Sequence, residues 1–141
     1  MITINKRIMK IRPYLSFDGN CLQAANFYTS IFGGKIIEKT TYKEAKIDIP
    51  DHYLEKIQHL EIKSKGFHIM MYDASPDTPL TNGSNMHLAV DFDSEKELNQ
   101  VFDQLSSAGI VHTPLQETSW NAIYGRCTDK YNIHWMLNFK A

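Results

Sequence analysis

The chain has 141 residues, with 15 Lys and Arg against 16 Asp and Glu, so its formal net charge is −1. That balance offers no cationic excess to neutralise phosphates, which argues against nucleic acid as a partner. No apolar run approaches the roughly 20 residues of a membrane helix, and the opening MITINKRIMKIRPYL carries Lys and Arg but no apolar signal-peptide stretch, so no membrane partner is expected. Two cysteines, Cys21 and Cys127, form no C-x-x-C pair, and a reduced cytoplasmic protein is the expectation. The 43% hydrophobic content supplies a core for one domain over residues 1–141.

In chain order, 12–17 reads as a strand. A helix follows Asn20, with Ala24, Phe27, Tyr28 and Ile31 on one face. Strand-like runs occupy 35–42, 58–64 and 67–72. Between them, 43–57 is charged, contains Pro50, and reads as a loop with a helical turn. The Pro, Thr, Asn and Gly segment Asp77–Gly83 is a break. Then the order repeats: a strand at 85–92, a helix after Ser94 with Leu98, Val101, Phe102 and Leu105 on one face, and strands at 110–113, 123–128 and 133–139. Asn20-x-x-Gln23 and Ser94-x-x-Glu97 each read as a capping box, and glycines follow both helices. Asn20 to Ser94, Gln23 to Glu97, Ala24 to Leu98 and Ile31 to Leu105 are all displaced by 74 residues. The pattern predicts an α+β fold of two βαβββ modules, near 10–76 and 84–141.

The segments PYLSFDGNCLQAANFYTSIFGGKI (13–36), NMHLAVDFDSEKELNQVFDQLSSAG (85–109) and WNAIYGRCTDKYNIHWML (120–137) resemble the PhnB-like subfamily of the vicinal-oxygen-chelate superfamily. That subfamily carries the label 3-demethylubiquinone-9 3-methyltransferase-like. The superfamily includes glyoxalases, bleomycin-resistance proteins and extradiol dioxygenases. The turn Asp129-Lys130-Tyr131-Asn132 departs from the family's usual Asp-Pro-aromatic-Gly, with Asn supplying the left-handed residue. The resemblance implies curved mixed sheets around a cavity, and a homodimer. The chain has no Gly-rich strand-to-helix turn with an acidic partner further on, so no nucleotide-type cofactor site is visible and no cofactor is expected.

Strands with one buried face alternate in and out. Ile69 and Met71, Leu88, Val90 and Phe92, and Trp135, Leu137 and Phe139 should face the helices. His68, Met70 and Tyr72, His87, Ala89 and Asp91, and His134, Met136 and Asn138 should face the cavity. Carrying the displacement of 74 into the first strand puts Pro13, Leu15 and Phe17 on the cavity face.

By the resemblance, metal-dependent relatives place four ligands at positions falling here on Pro13, Met70, His87 and Met136. Pro has no side-chain donor, and a thioether matches a hard cation poorly. The expectation is therefore no metal at the superfamily's usual site. A different site could be assembled from His59, Glu61, His68 or His134.

His87 is the candidate catalytic group, as a general base or an anchor for a ligand oxygen; the alternative is a half-buried imidazole satisfied by a neighbour. His59 and Glu61 share a strand face and could supply acid and base, or form a solvated sheet surface. Trp120, Tyr124 and Arg126 offer a flat wall and a guanidinium fork for a small aromatic or carboxylate compound; alternatively Trp120 serves a dimer contact and Arg126 pairs with Asp129 or Glu117. Tyr72, Met70 and Met136 complete the expected ligand-binding set. Cys21 reads as a small helix residue. Two function classes follow: a small-molecule-binding protein without the usual metal, or a lyase or isomerase using cavity histidines or a displaced metal.

Overall fold

The computed structural model describes residues 8–140. Element order is β1 (Tyr14–Phe17), α1 (Cys21–Phe32), β2 (Lys35–Thr41), a 3-10 turn (Asp51–Tyr53), β3 (Ile57–Lys63), β4 (His68–Asp73), β5 (Leu88–Phe92), α2 (Glu95–Ser106), β6 (Ile110–Glu117), β7 (Ala122–Thr128) and β8 (His134–Lys140). The strands form two four-stranded sheets, ordered β1-β4-β3-β2 and β5-β8-β7-β6. In each, the first strand of the module runs parallel to its last, and the other pairs are antiparallel. The βαβββ repeat is therefore present in order, pairing and direction. The 3-10 turn lies where 43–57 predicts a helical turn in a loop.

The chain divides into two compact units. One holds the residues up to Ala25 together with Gly34–Ser75; the other holds Asn26–Gly33 and Pro76–Ala141. This differs from the modules read along the sequence, because residues 26–33, the later turns of α1, belong with the second unit.

In the first unit Phe17, Cys21, Ala24, Leu60, Ile62 and Met71 are buried. The Asp73 carboxylate accepts from Cys21 N–H at 2.9 Å and from Ile57 N–H at 2.9 Å. An acceptor from the end of β4 thus serves a donor in the first turn of α1, which lacks an intrahelical partner. Burial raises the Asp73 pKa, against those two backbone hydrogen bonds, which lower it. Burial, and then Asp73, also push the Cys21 thiol up.

In the second unit α2 covers its sheet with Leu98, Val101, Phe102 and Leu105, the face its spacing predicts. Ser94 caps it, its Oγ accepting from Glu97 N–H at 3.2 Å. The turn after β7 is built around Asp129, which is 2% exposed. Its Oδ2 accepts from Tyr28 O–H at 2.6 Å and Trp135 Nε1–H at 2.8 Å, and its Oδ1 from the N–H groups of Tyr131 at 2.7 Å and Ile133 at 3.2 Å. Asn132 takes φ +70°, as the altered turn sequence requires.

Each module also needs a glycine at its second connection. A Cβ at Gly34 would sit 2.5 Å from the Lys63 carbonyl oxygen, and one at Gly109 would sit 2.2 Å from that of Thr128. These contacts make Gly34 and Gly109 equivalent, 75 residues apart. Register carries the match into the first strands: Tyr14 pairs with Met70 and Ala89 with Met136, again 75 apart. The helices are 74 apart, Cys21 to Glu95. Two one-residue differences account for this: the second unit has Ser107 and Ala108 between helix and glycine where the first has Gly33, and the first has one more residue before its helix. Asp18, Gly19 and Asn20 join β1 to α1, with Gly19 at φ +83°, whereas Asp93 and Ser94 join β5 to α2.

The extra residue before α1 corrects one sequence expectation. Leu15 and Phe17 pair with Met71 and Asp73 on the buried face, and Phe17 is 1% exposed. Tyr14 takes the open face instead. His87 therefore matches Arg12 and not Pro13. The other expected faces stand: Leu60, Ile62, Ile69, Met71, Trp135 and Leu137 are all buried.

Candidate functional site

On the first unit's sheet the open face carries Tyr14 from β1, His59 and Glu61 from β3, and His68, Met70 and Tyr72 from β4. Tyr14 Oη lies 2.7 Å from His59 Nδ1, and His59 Nε2 lies 2.8 Å from Glu61 Oε2. The other carboxylate oxygen, Oε1, accepts from His68 Nε2–H at 2.5 Å, with the Arg12 guanidinium 3.7 Å away. Arg12 Nη1 is also 3.4 Å from His68 Nε2, but that nitrogen's hydrogen is committed to Glu61, so Arg12 is held by the carboxylate.

Glu61 thus has one imidazole on each oxygen, and these hydrogen bonds from His59 and His68 hold its pKa down at about 2. Tyr14 packs edge-on against Tyr72, with ring centroids 5.1 Å apart, and burial raises the phenol's pKa. The alternative of a solvated sheet surface at His59 and Glu61 does not hold. Their side chains are only 21% and 13% exposed, and both are engaged.

The second unit brings together a different set. His134 Nε2–H donates to the Gly83 carbonyl at 2.6 Å, which leaves Nδ1 to accept from Thr128 O–H at 2.7 Å. Thr128 Oγ1 in turn accepts from His112 Nε2–H at 2.7 Å. The His87 ring lies 5.4 Å from that of His134. Burial, then the charges of His134, Arg126 and His112, lower the His87 pKa, so the neutral imidazole is favoured. Asp91, expected beside His87, instead accepts from Asn138 at 3.5 Å.

Met136 lies across from Arg126 on the open face. Among the described residues Arg126 has no ion pair, neither with Glu117 nor with Asp129, the two expected partners, and Asp129 is occupied by four other donors. Trp120 is 59% exposed, with its ring 6.4 Å from that of Tyr124. Tyr124 lies on β7 with Arg126, and Trp120 lies in the turn before it, the two rings inclined at 60°.

The superfamily's metal does not fit the positions that would hold it. At the positions the resemblance gives, the chain has Met70, His87 and Met136, with Arg12 matching His87 in the first unit. One imidazole, one guanidinium and two thioethers are a poor donor set for a hard divalent ion.

Tyr14 and Arg12 join His59 and Glu61 although the sequence reading did not name them. The signal for Tyr14 was available: Leu15 and Phe17 are the apolar members of the alternation, which leaves Tyr14 outward.

The fold and this pair of open faces define a glyoxalase-like protein of the glyoxalase, bleomycin-resistance and dioxygenase architecture. A crystal structure of a family enzyme of that name from Burkholderia phytofirmans PsJN matches the fold at a TM-score of 0.63, with 14% identity, over 91% of this chain and 97% of that one. The chain belongs to the PhnB-like family described as 3-demethylubiquinone-9 3-methyltransferase, whose model matches residues 9–138. It is 31% identical to Protein YjdN of Escherichia coli (strain K12), over 92% of this chain and 95% of that protein. The protein PA1353 of Pseudomonas aeruginosa matches at a TM-score of 0.85 and 29% identity, over 94% of this chain and 98% of that one. The PhnB protein of Bacillus cereus matches at 0.78 and 26%, over 93% and 99%. Among the described residues, no helix is long and apolar enough to cross a membrane.

Proposed function

We propose that this chain binds a small organic molecule carrying an anionic group next to a flat apolar part. The observation that carries the reading is Arg126, which shares an open face with Met136 and has no ion pair among the described residues. A guanidinium fork offers two parallel donors to a carboxylate. Tyr124 and Trp120 supply ring surface beside it, and Met136 an adaptable apolar floor. His87, held neutral, offers one donor and one acceptor to a ligand oxygen. We further propose a homodimer in the cytoplasm, since a sheet edge left uncovered invites pairing.

Calorimetry of the tag-free protein against a panel of aromatic carboxylates tests the ligand. Binding should weaken at least about tenfold in Arg126→Ala, as loss of a charged hydrogen-bond partner implies. No binding across the panel, or binding indifferent to Arg126, would overturn it. Light scattering tests the dimer.

A second reading, a lyase or isomerase, is favoured by the chain Glu61–His59–Tyr14. A carboxylate orients an imidazole, and the imidazole reaches a phenol that burial keeps protonated. Loss of turnover in Tyr14→Phe, with ligand affinity kept, would separate this reading from simple binding.

A further inference from the structure

We propose a divalent transition-metal site on the first unit's open face, held by Glu38, His59 Nε2 and Glu61 Oε2, with one position left open. The donor atoms of these three residues lie within 4.8 Å of one another. The site uses β2 and β3, not the positions at which relatives would carry a metal.

Three features point to a cation. The first is the pairing of like charges. The β2–β3 register slips by one residue between Ile36 and Glu38, and the slip sets Glu38 directly across from Glu61. A register slip re-aims a side chain. Two carboxylates opposed on one face cost stability unless something positive lies between them.

The second is the division of labour on Glu61. Oε1 is taken by His68 Nε2–H and Arg12, while Oε2 faces only His59 Nε2 at 2.8 Å. Two atoms with lone pairs approach so closely only with a proton or a cation between them. Three N and O ligands with a fourth place open is the pattern of a catalytic zinc site.

The third is the outer support of His59. Tyr14 Oη stands 2.7 Å from Nδ1. Without metal, Tyr14 O–H donates to Nδ1 and Nε2–H donates to Glu61. With metal, the imidazole takes its other tautomer, Nδ1–H donates to Tyr14 Oη, and Nε2 is free to coordinate. No proton need leave the protein. Glu38 is exposed, so its side chain can swing the remaining distance.

The second unit supplies an internal control. The same register slip occurs between Val111 and Thr113 and sets Thr113 across from Arg126. There the equivalent trio is Thr113, Tyr124 and Arg126, with a built-in cation. One imidazole with two carboxylates suits Zn²⁺, Ni²⁺ or Co²⁺ over Mg²⁺ or Ca²⁺.

The test is calorimetric titration of chelator-treated, full-length, tag-free protein with Zn²⁺, alongside X-ray absorption of the loaded protein. We expect one Zn²⁺ per chain in an N and O environment without sulfur. We expect affinity to fall at least about tenfold in Glu38→Gln and in Tyr14→Phe, by analogy with outer-shell losses. His59→Ala should abolish binding, and His134→Ala and Arg126→Ala should leave it unchanged. Glu38→Gln is decisive because that exposed position tolerates the change without unfolding. No stoichiometric Zn²⁺ at millimolar metal, a sulfur shell, or binding that follows His134 and ignores Glu38 would each overturn the site. None of these outcomes bears on the Arg126 ligand, which is read from a separate titration.

Discussion

The open faces of the two sheets share a frame and differ in chemistry. Register equates Tyr14 with Ala89, Met70 with Met136, His68 with His134, Glu61 with Arg126, His59 with Tyr124 and Glu38 with Thr113. The close-approach glycines, the register slips, the two methionines and one histidine recur. The polar centre does not: two carboxylates with two imidazoles and the Arg12 guanidinium stand on one face, and the Arg126 guanidinium, without an ion pair among the described residues, on the other. Duplication has kept what the backbone requires and released what solvent and ligand see.

Four measurements would break or sharpen this comparison. The largest effect belongs to the buried carboxylates, which are not equivalent in the two units: Asp73 ends β4, whereas Asp129 follows β7. Asp129→Ala removes the acceptor of four donors and should cost about 3 kcal/mol or more in urea unfolding. Asp73→Ala removes the acceptor of Cys21 N–H and Ile57 N–H and should cost less. The reverse order would show that Asp129 is not the stronger anchor.

Next come the frame glycines. Gly34→Ala and Gly109→Ala each drive a methyl into a backbone carbonyl, and each should cost roughly 2–3 kcal/mol. A neutral result at either position would undo their equivalence.

The third measurement separates the faces by charge. Met70→Glu places a carboxylate across from Glu61, and Met136→Glu places one across from Arg126. The first should be the more destabilising by about 1 kcal/mol, twice the half-kilocalorie scale of a cross-strand pair. Added Zn²⁺ should narrow the gap by drawing a cation to the first face.

The smallest effect is on pH dependence. His87 has a lowered pKa, so the unfolded chain binds its proton more readily. Stability from this group is present above the ordinary value of 6.5 and is lost as the pH falls below it. Glu61, held at about 2, contributes stability that is full above its ordinary 4.5 and is lost as the pH falls from 4.5 through about 2. Urea midpoints of His87→Ala should therefore flatten the profile below neutrality, and those of Glu61→Gln the profile in stronger acid. Flattening in the same window would contradict the separation of the two environments.

Much of this molecule is legible in its residues alone. Helical spacing marks the buried face of α2, and Ser94 marks its start. Alternation in β4 and β8 correctly turns Ile69, Met71, Trp135 and Leu137 inward and His68, Met70, His134 and Met136 outward. These signals are local, because period and cap depend on neighbours a few residues away. Phase across a loop is not local. The displacement of 74 holds within the helices, but one extra residue between β1 and α1 makes it 75 between the first strands, β1 and β5, and with a period of two that single residue exchanges Tyr14 for Leu15 and Phe17 at the open face. The same limit hid Glu38, whose face depends on a register slip against β3. It also hid Asp73 and Asp129, which look like ordinary turn residues until tertiary packing buries them among donors. Sequence determined the family, the repeat and the facing of most strands, because hydrophobic period is written residue by residue. Only the tertiary structure decided which polar groups meet, because a hydrogen bond between Tyr14 and His59 depends on strand register, which is set by pairing and not by the residues at its two ends.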